Sequence, residues 1–167
     1  MTEVDYTKLT PIDAMSGEDE EETGLLWDLY REAKWFMESF TWHGKIEKAY
    51  FGLGVGRVVG VFLFELIPAR QDVDRLLWVV VGDIPLAYLV TDHAPNAACA
   101  LEGYIELMRE WVVAAKAGEP VDKLIPVNVA PTKEWAEDLE GRLDFLEQNI
   151  LSEYQDDLDQ PGRWDDG

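Results

Sequence analysis

The chain contains two long apolar segments, VVGVFLFELI at residues 58–67 and LLWVVVGDI at residues 76–84. Both segments are rich in β-branched and aromatic residues, which predicts β-strands. Neither alternates cleanly between apolar and polar positions, so we expect two central strands that are covered on both faces. The polar stretch between them, residues 68–74, is too short for a parallel crossover and therefore predicts an antiparallel pair.

Shorter strands are predicted on both sides of this pair. Pro85 cannot donate a hydrogen bond to a sheet, so residues 86–91 form a short third strand at an edge. Residues 49–53 are a candidate for a fourth strand. The sheet is therefore expected to have three or four strands.

Three helices are predicted around the sheet. The first covers residues 18–44, because acidic residues precede an apolar stripe with helical spacing and Gly44 favours a helix end. The second begins near Pro95 and ends at Gly118, and the third begins at Thr132, a favourable N-cap residue. The predicted buried stripe of the third helix consists of Trp135, Leu139, Leu143, Leu146 and Ile150.

These elements predict an α+β fold of order α-β-β-β-α-α, with an antiparallel sheet and helices in two layers. We expect an irregular N-terminal arm at residues 1–17, a single α+β domain at residues 18–154 and a disordered acidic tail at residues 155–167. The length of 167 residues is typical of one domain that can bury a core without disulfides or metal.

The chain is strongly acidic, with a formal net charge of −20. Eight acidic residues and one lysine lie in residues 1–23, and six acidic residues and one arginine lie in residues 152–167. Such a charge repels nucleic acid and anionic lipid, which bind clustered Lys and Arg. It favours a basic protein partner, although high acidity also serves solubility alone.

The sequence indicates a cytoplasmic protein that neither enters nor binds a membrane. Its single cysteine, Cys99, cannot form an intramolecular disulfide, which is typical of a reducing compartment. The first residues lack the basic and apolar regions of a secretory signal. The longest apolar runs are far shorter than the roughly 20 residues of a membrane-spanning helix.

Motifs for phosphate, cofactor or metal binding are weak. The run GLGVG at residues 52–56 leads into a predicted strand, whereas a phosphate-binding loop needs glycines at the start of a helix. A bulged or flexible strand entry explains these glycines better. The only histidines, His43 and His93, are 50 positions apart and lack the spacing of a metal motif. We therefore predict no cofactor and no metal.

The first helix carries an unusual second face. At 100° per residue, Trp27, Arg31, Trp35 and Trp42 fall within about 80° of one another and nearly opposite the apolar stripe. Clustered tryptophans with arginine are typical of protein interfaces. This face favours a non-enzymatic binding or regulatory protein, such as an acidic inhibitor or immunity-like module. The alternative is that the helix is buried on both sides or ends before Trp42.

A second hypothesis places an enzyme site near the predicted third strand. Asp83, Tyr88, Asp92 and His93 would have to come together there to serve a small-molecule or metal-dependent reaction. Against this, Asp83 precedes a turn, where aspartate commonly accepts backbone hydrogen bonds. Asp92 and His93 precede a helix, where polar residues commonly cap the helix start.

A third hypothesis is a structural homodimer without a foreign partner. Two-sided apolar strands and a two-faced first helix both need additional cover, and a twofold partner is its commonest source. In that case the tryptophan face would serve only as a self-interface.

The segment LWVVVGDIP at residues 77–85, followed by Tyr88 and a helix that Pro95 opens, resembles one protein family. This family consists of small acidic bacterial proteins, is classified as a domain of unknown function, and shares a Trp-aliphatic-Gly-Asp-Leu/Ile-Pro segment. The resemblance covers roughly residues 57–115. It implies a similar core of sheet and helix, and it implies no activity and no functional residues.

Overall fold

The structure, a computed structural model, describes residues 3–160 of the chain. The strands are β1 (Thr10–Pro11), β2 (Lys45–Val55), β3 (Val59–Ile67), β4 (Leu76–Gly82) and β5 (Ala87–Val90). The helices are α1 (Glu20–Glu38), α2 (Ala97–Ala117), α3 (Lys133–Phe145) and the one-turn α4 (Gln155–Leu158). The predicted α+β class and the order of its main elements are confirmed.

The sheet is an antiparallel meander in which strand order follows the chain, β1-β2-β3-β4-β5. Within residues 3–160 it has five strands rather than three or four, for two reasons. The candidate strand at residues 49–53 is the middle of the longer β2, and Thr10 and Pro11 of the predicted irregular arm pair with Phe51 and Tyr50. The glycine run at residues 52–56 ends β2 and enters the turn to β3, so it does not open a helix.

Helices cover both faces of the central strands, so the predicted two-layer arrangement is wrong. Phe62 and Phe64 of β3 pack in one cluster with α1, whereas Val61 and Leu63 pack in another with α2. All four side chains are 0% exposed. The continuous apolar pattern of β3 arises from these two cores, because alternate side chains of a strand point to opposite faces. The third helix, α3, packs against the outer side of α2.

The two edges of the sheet differ in their protection. Strand β1 is only two residues long and contains Pro11, and both features block the addition of another strand. At the other edge, β5 has the sequence AYLV, without charge, glycine or proline. In the described part of the chain, β5 pairs with β4 alone.

Helix α1 begins as predicted and ends earlier. The side chain of Asp19 accepts a hydrogen bond from the backbone N–H of Glu22 at 2.8 Å, and three glutamates fill the first turn. The helix ends at Glu38 rather than near Gly44, and Thr41–His43 form a separate 3₁₀ turn. Trp42 therefore lies outside α1, and its helical angle does not apply.

Residues 155–160, which the sequence places in a disordered tail, pack on the N-terminus of α2. Asn96, 1% exposed, donates from Nδ2 to the carbonyl of Asp157 at 2.9 Å and to Oε1 of Gln160 at 2.7 Å. Leu158 is 4% exposed beside this contact. The rest of that predicted tail, residues 161–167, lies outside the described residues.

No helix within residues 3–160 combines the length and the apolar character needed to cross a membrane.

Candidate binding groove

A groove of about 910 Å³ lies at the corner of the sheet where β4 turns into β5. We call it the corner groove. Its lining comes from α1 (Trp35, Phe36, Ser39, Phe40), from residues 82–88, from Trp111 of α2, from residues 125–129 and from α3 (Trp135, Asp138, Leu139, Arg142). This volume lies within the range of about 300–1,000 Å³ that is common for ligand pockets.

The two walls of the corner groove stand on opposite faces of the sheet. Trp35 of α1 is 67% exposed on one wall, and Trp135 of α3 is 50% exposed on the other. Because α1 covers one face and α3 packs on α2 over the other, the two walls meet only beyond the sheet corner. Val129, 38% exposed, extends the α3 wall. The groove therefore presents apolar surface from both sides of the sheet.

The floor of the groove is a rigid turn. The hydroxyl of Tyr104, 0% exposed on α2, donates to the carbonyl of Pro85 at 2.6 Å. Arg142 donates from Nη1 to the carbonyl of Asp83 at 2.7 Å and also forms an ion pair with the Asp83 carboxylate. The backbone N–H of Asp83 donates to the carbonyl of Val58 at 3.1 Å. Three separate elements thus fix the chain between β4 and β5.

Replacing Tyr104 by phenylalanine is expected to lower the free energy of unfolding by about 1–2 kcal/mol at neutral pH, because the Pro85 carbonyl loses its buried donor. Burial raises the pKa of Tyr104 above its ordinary value of 10.0. The unfolded chain then releases this proton near pH 10 while the folded chain keeps it, so stability falls as the pH rises above 10. Between pH 7 and 11, the free energy of unfolding measured with urea should decrease less steeply with pH for Tyr104→Phe than for wild type. Equal slopes would contradict this role of Tyr104.

An aromatic cluster joins the groove to the end of α1. The centroid of the Tyr88 ring on β5 lies 5.2 Å from the ring centroid of Phe40, 5.1 Å from that of Trp42 and 6.4 Å from that of Phe36. Trp42 also stacks on Phe40 at 4.9 Å. These contacts hold the last turn of α1 against the edge strand, and they leave Tyr88 40% exposed.

Of the four residues of the predicted tryptophan face, Trp27, Arg31 and Trp35 lie on α1 at steps of four, and Trp42 lies outside the helix. Trp27 is half-buried and packs edge-on against Tyr30 at 5.6 Å, and Arg31 pairs with Asp28 at 2.8 Å. Trp42 joins the aromatic cluster described above. Only Trp35 reaches the corner groove.

The residues of the predicted enzyme site also divide into two pairs. Asp83 and Tyr88 line the corner groove. Asp92 and His93 follow the opposite end of β5, which at about 3.3 Å per residue lies roughly 10 Å from its start. Residues 3–160 contain no group of three or more His, Cys, Asp or Glu side chains placed to hold a metal ion.

Sequence reasoning missed Trp135 as a groove residue because it assigned this side chain to the buried stripe of α3. That assignment is wrong: Ala136 is 0% exposed, whereas Trp135 is half exposed. The signal was present in the spacing, since the series Ala136, Leu139, Leu143, Leu146, Ile150 alternates steps of three and four. At 100° per residue, Trp135 lies about 60° from the centre of this series and 100° from Ala136, at the edge of the buried stripe.

In comparisons with protein-family models, curated proteins and solved structures, the chain matched none of them. The resemblance of residues 57–115 to the family of small acidic proteins stays a prediction.

Proposed function

We propose that this protein is a non-enzymatic, acidic binding protein that holds an apolar part of a basic protein partner in the corner groove. Its role would be regulatory, in the manner of an inhibitor or immunity-like module. The observation that carries the proposal is the pair Trp35 and Trp135, exposed on opposing walls of one groove.

Exposed tryptophans are the first part of the argument. Large apolar side chains in contact with water are unfavourable, and contiguous apolar surface on a protein commonly marks an interaction site. Trp35, Trp135 and Tyr88 together border a single concave surface. Tryptophan and tyrosine are also the residue types that dominate binding energy at protein interfaces. A partner side chain between the two walls would remove both indole rings from water.

Charge supplies the second part of the argument. Glu32 and Glu38 lie three positions before and after Trp35 on α1, and Asp138 lies three positions after Trp135 on α3. Residues three apart on a helix share a face, so two carboxylates flank Trp35, whereas the Asp138 carboxylate beside Trp135 is paired with Arg142. Together with the net charge of −20, this arrangement steers a basic partner towards the apolar groove.

The carboxylates within the groove favour binding over catalysis. Asp83 and Asp138 both pair with Arg142, the latter with its carboxylate 3.0 Å from Nε. The Asp83 pair therefore joins α3 to the β4–β5 turn, and the Asp138 pair, which lies within α3, orients the Arg142 side chain. A general acid or base needs a carboxylate within reach of a substrate proton, and these two are engaged by a permanent cation.

Quantitative capture from a native lysate tests this proposal. Immobilised wild type, Trp35→Ala, Trp135→Ala and the control Val113→Ala are compared, since Val113 is 66% exposed on α2 outside the corner groove. Bound proteins are identified by mass spectrometry, and the affinity of each variant is then measured with the purified partner. We expect a basic partner that binds wild type and Val113→Ala equally and each tryptophan variant at least about tenfold more weakly. Added salt should also weaken binding, because it screens the charge attraction.

Two results would contradict the proposal. One is capture of the same partners in the same amounts by wild type and all three variants. The other is a wild-type dimer in light scattering that becomes monomeric in Trp35→Ala, because the groove would then be a self-interface.

A further inference from the structure

We infer that the partner enters the corner groove as an extended, basic chain segment that pairs with β5 and becomes the sixth strand of the sheet. This inference rests on the proposed function and adds to it the conformation and the chemistry of the bound segment.

The backbone of β5 is open to such pairing. Ala87–Val90 is the last strand of the sheet, and within residues 3–160 its outer edge forms no backbone hydrogen bond. An uncharged edge strand without proline is a template for a further strand. At the opposite edge, β1 contains Pro11 and pairs with Tyr50 and Phe51 of β2, so that edge is partly occupied.

The shape of the groove fits a single strand. Ala87 and Tyr88 of β5 belong to its lining, together with Trp35 on one side and Trp135 on the other. These walls come from helices on opposite faces of the sheet, so the space between them continues the plane of the sheet beyond β5. A strand in this position would find main-chain partners at Ala87 and Tyr88, the half of β5 that lines the groove, and an apolar wall on each face.

The alternation of side chains in a strand then matches the two walls. Successive side chains of the added segment would point in turn towards the α1 wall, with Trp35 and Tyr88, and towards the α3 wall, with Trp135 and Val129. Main-chain hydrogen bonds would supply affinity, and pockets for alternate side chains would supply selectivity. An apolar residue at every second or third position, with lysine or arginine between, is the expected partner pattern.

A second copy of the chain suits this site less well than a slender basic segment. In a symmetric pairing, β5 of each copy would have to lie between the two walls of the other copy's groove. The walls of both grooves would then occupy the same space. Each copy also carries a net charge of −20, so their approach is opposed by like charge. Asp92 lies two positions after the last residue of β5 and favours a cationic neighbour at that end of the strand.

The probe for this inference is a linear peptide selected from a random dodecapeptide library displayed on phage, with wild type as the target. The selected peptide is synthesised unmodified and in two N-methylated forms, one methylated at the odd-numbered residues and the other at the even-numbered residues. In a bound strand, the backbone N–H groups of only one of these two sets point towards β5, so only one of the two forms loses hydrogen bonds to it. Amide hydrogen exchange of Ala87–Val90 is measured with and without the peptide.

We expect one N-methylated form to bind at least about tenfold more weakly than the unmodified peptide, and the other form to bind within about threefold of it. Exchange at Ala87–Val90 should slow on binding. The inference is overturned if both forms bind equally, if exchange at β5 is unchanged, or if the peptide binds as a helix. If Trp35→Ala still abolishes peptide binding, those results overturn only the strand pairing, and the proposed function stands. If the peptide binds wild type, Trp35→Ala and Trp135→Ala equally well, the proposed function is overturned as well.

Discussion

Replacing Gly82 by alanine is expected to lower the free energy of unfolding by about 3–5 kcal/mol. Gly82 ends β4 with a φ of +137°, a conformation that residues with a side chain rarely adopt. A Cβ atom at this position would lie 2.3 Å from the carbonyl oxygen of Val58 and 2.8 Å from the Cα of Val59. Both neighbours belong to the backbone, so neither can rotate away as a flexible side chain would.

Urea unfolding followed by circular dichroism measures this effect. The matched control is Gly141→Ala on α3, where a new Cβ meets no atom within 4 Å. Because alanine favours a helix more than glycine does, the control should gain up to about 1 kcal/mol. A loss of less than about 1 kcal/mol in Gly82→Ala would show that the turn relaxes freely and that its geometry is not fixed.

The role of Gly82 gives a physical meaning to the segment LWVVVGDIP. Trp78, 0% exposed, donates from Nε1 to the carbonyl of Ala94 at 3.0 Å and so ties β4 to the start of α2. Gly82 allows the sharp bend after β4, and the carbonyl of Pro85 receives the hydroxyl of Tyr104. The segment therefore builds the corner of the sheet and the floor of the groove.

Most of the fold could be predicted from local patterns. The β-branched and aromatic content of residues 58–67 and 76–84 predicts strands, and the structure places β3 and β4 there. Asn96 and Thr132 cap α2 and α3 within a residue or two of the predicted starts. Strand β1 could not be predicted, because it has two residues, and their partners lie 41 and 39 positions away, so no periodic signal marks it.

The candidate site was much harder to predict, because it exists only where distant segments meet. The sequence singled out Trp35 on one helix and Asp83 with Tyr88 beside a strand, as parts of two competing hypotheses. The structure places these three residues in one groove. Their proximity depends on which face of the sheet each helix covers, and residue patterns along one helix carry no information about that choice.

The extent of α1 explains why Trp42 does not share a helix face with Trp27, Arg31 and Trp35. The angle of Trp42 was calculated for an uninterrupted helix, whereas the helix ends at Glu38. Interactions after that point, including the stacking of Trp42 on Phe40 and its contact with Tyr88, outweigh local helix preference.

Replacing Trp111 by alanine is expected to lower the free energy of unfolding by about 3–5 kcal/mol, whereas Trp35→Ala should change it by less than about 0.5 kcal/mol. Both tryptophans line the corner groove, and they differ in burial. Trp111 is 1% exposed within the core between the sheet and α3, while Trp35 is 67% exposed. Removing the buried indole leaves a cavity in the core. Removing the exposed indole costs little, because most of its apolar surface is already in contact with water. Urea unfolding of both variants under identical conditions gives the comparison.

This pair of variants separates stability from binding within one groove. If Trp35→Ala leaves stability unchanged, the exposed indole contributes nothing to the isolated fold, and its loss can be detected only with a partner bound. A weakened partner interaction in Trp35→Ala at wild-type stability is therefore the combination that the proposed function requires. If Trp35→Ala instead costs more than about 2 kcal/mol of stability, Trp35 is a packing residue. The groove would then owe its aromatic wall to folding, and the argument for a bound basic segment would lose its principal support.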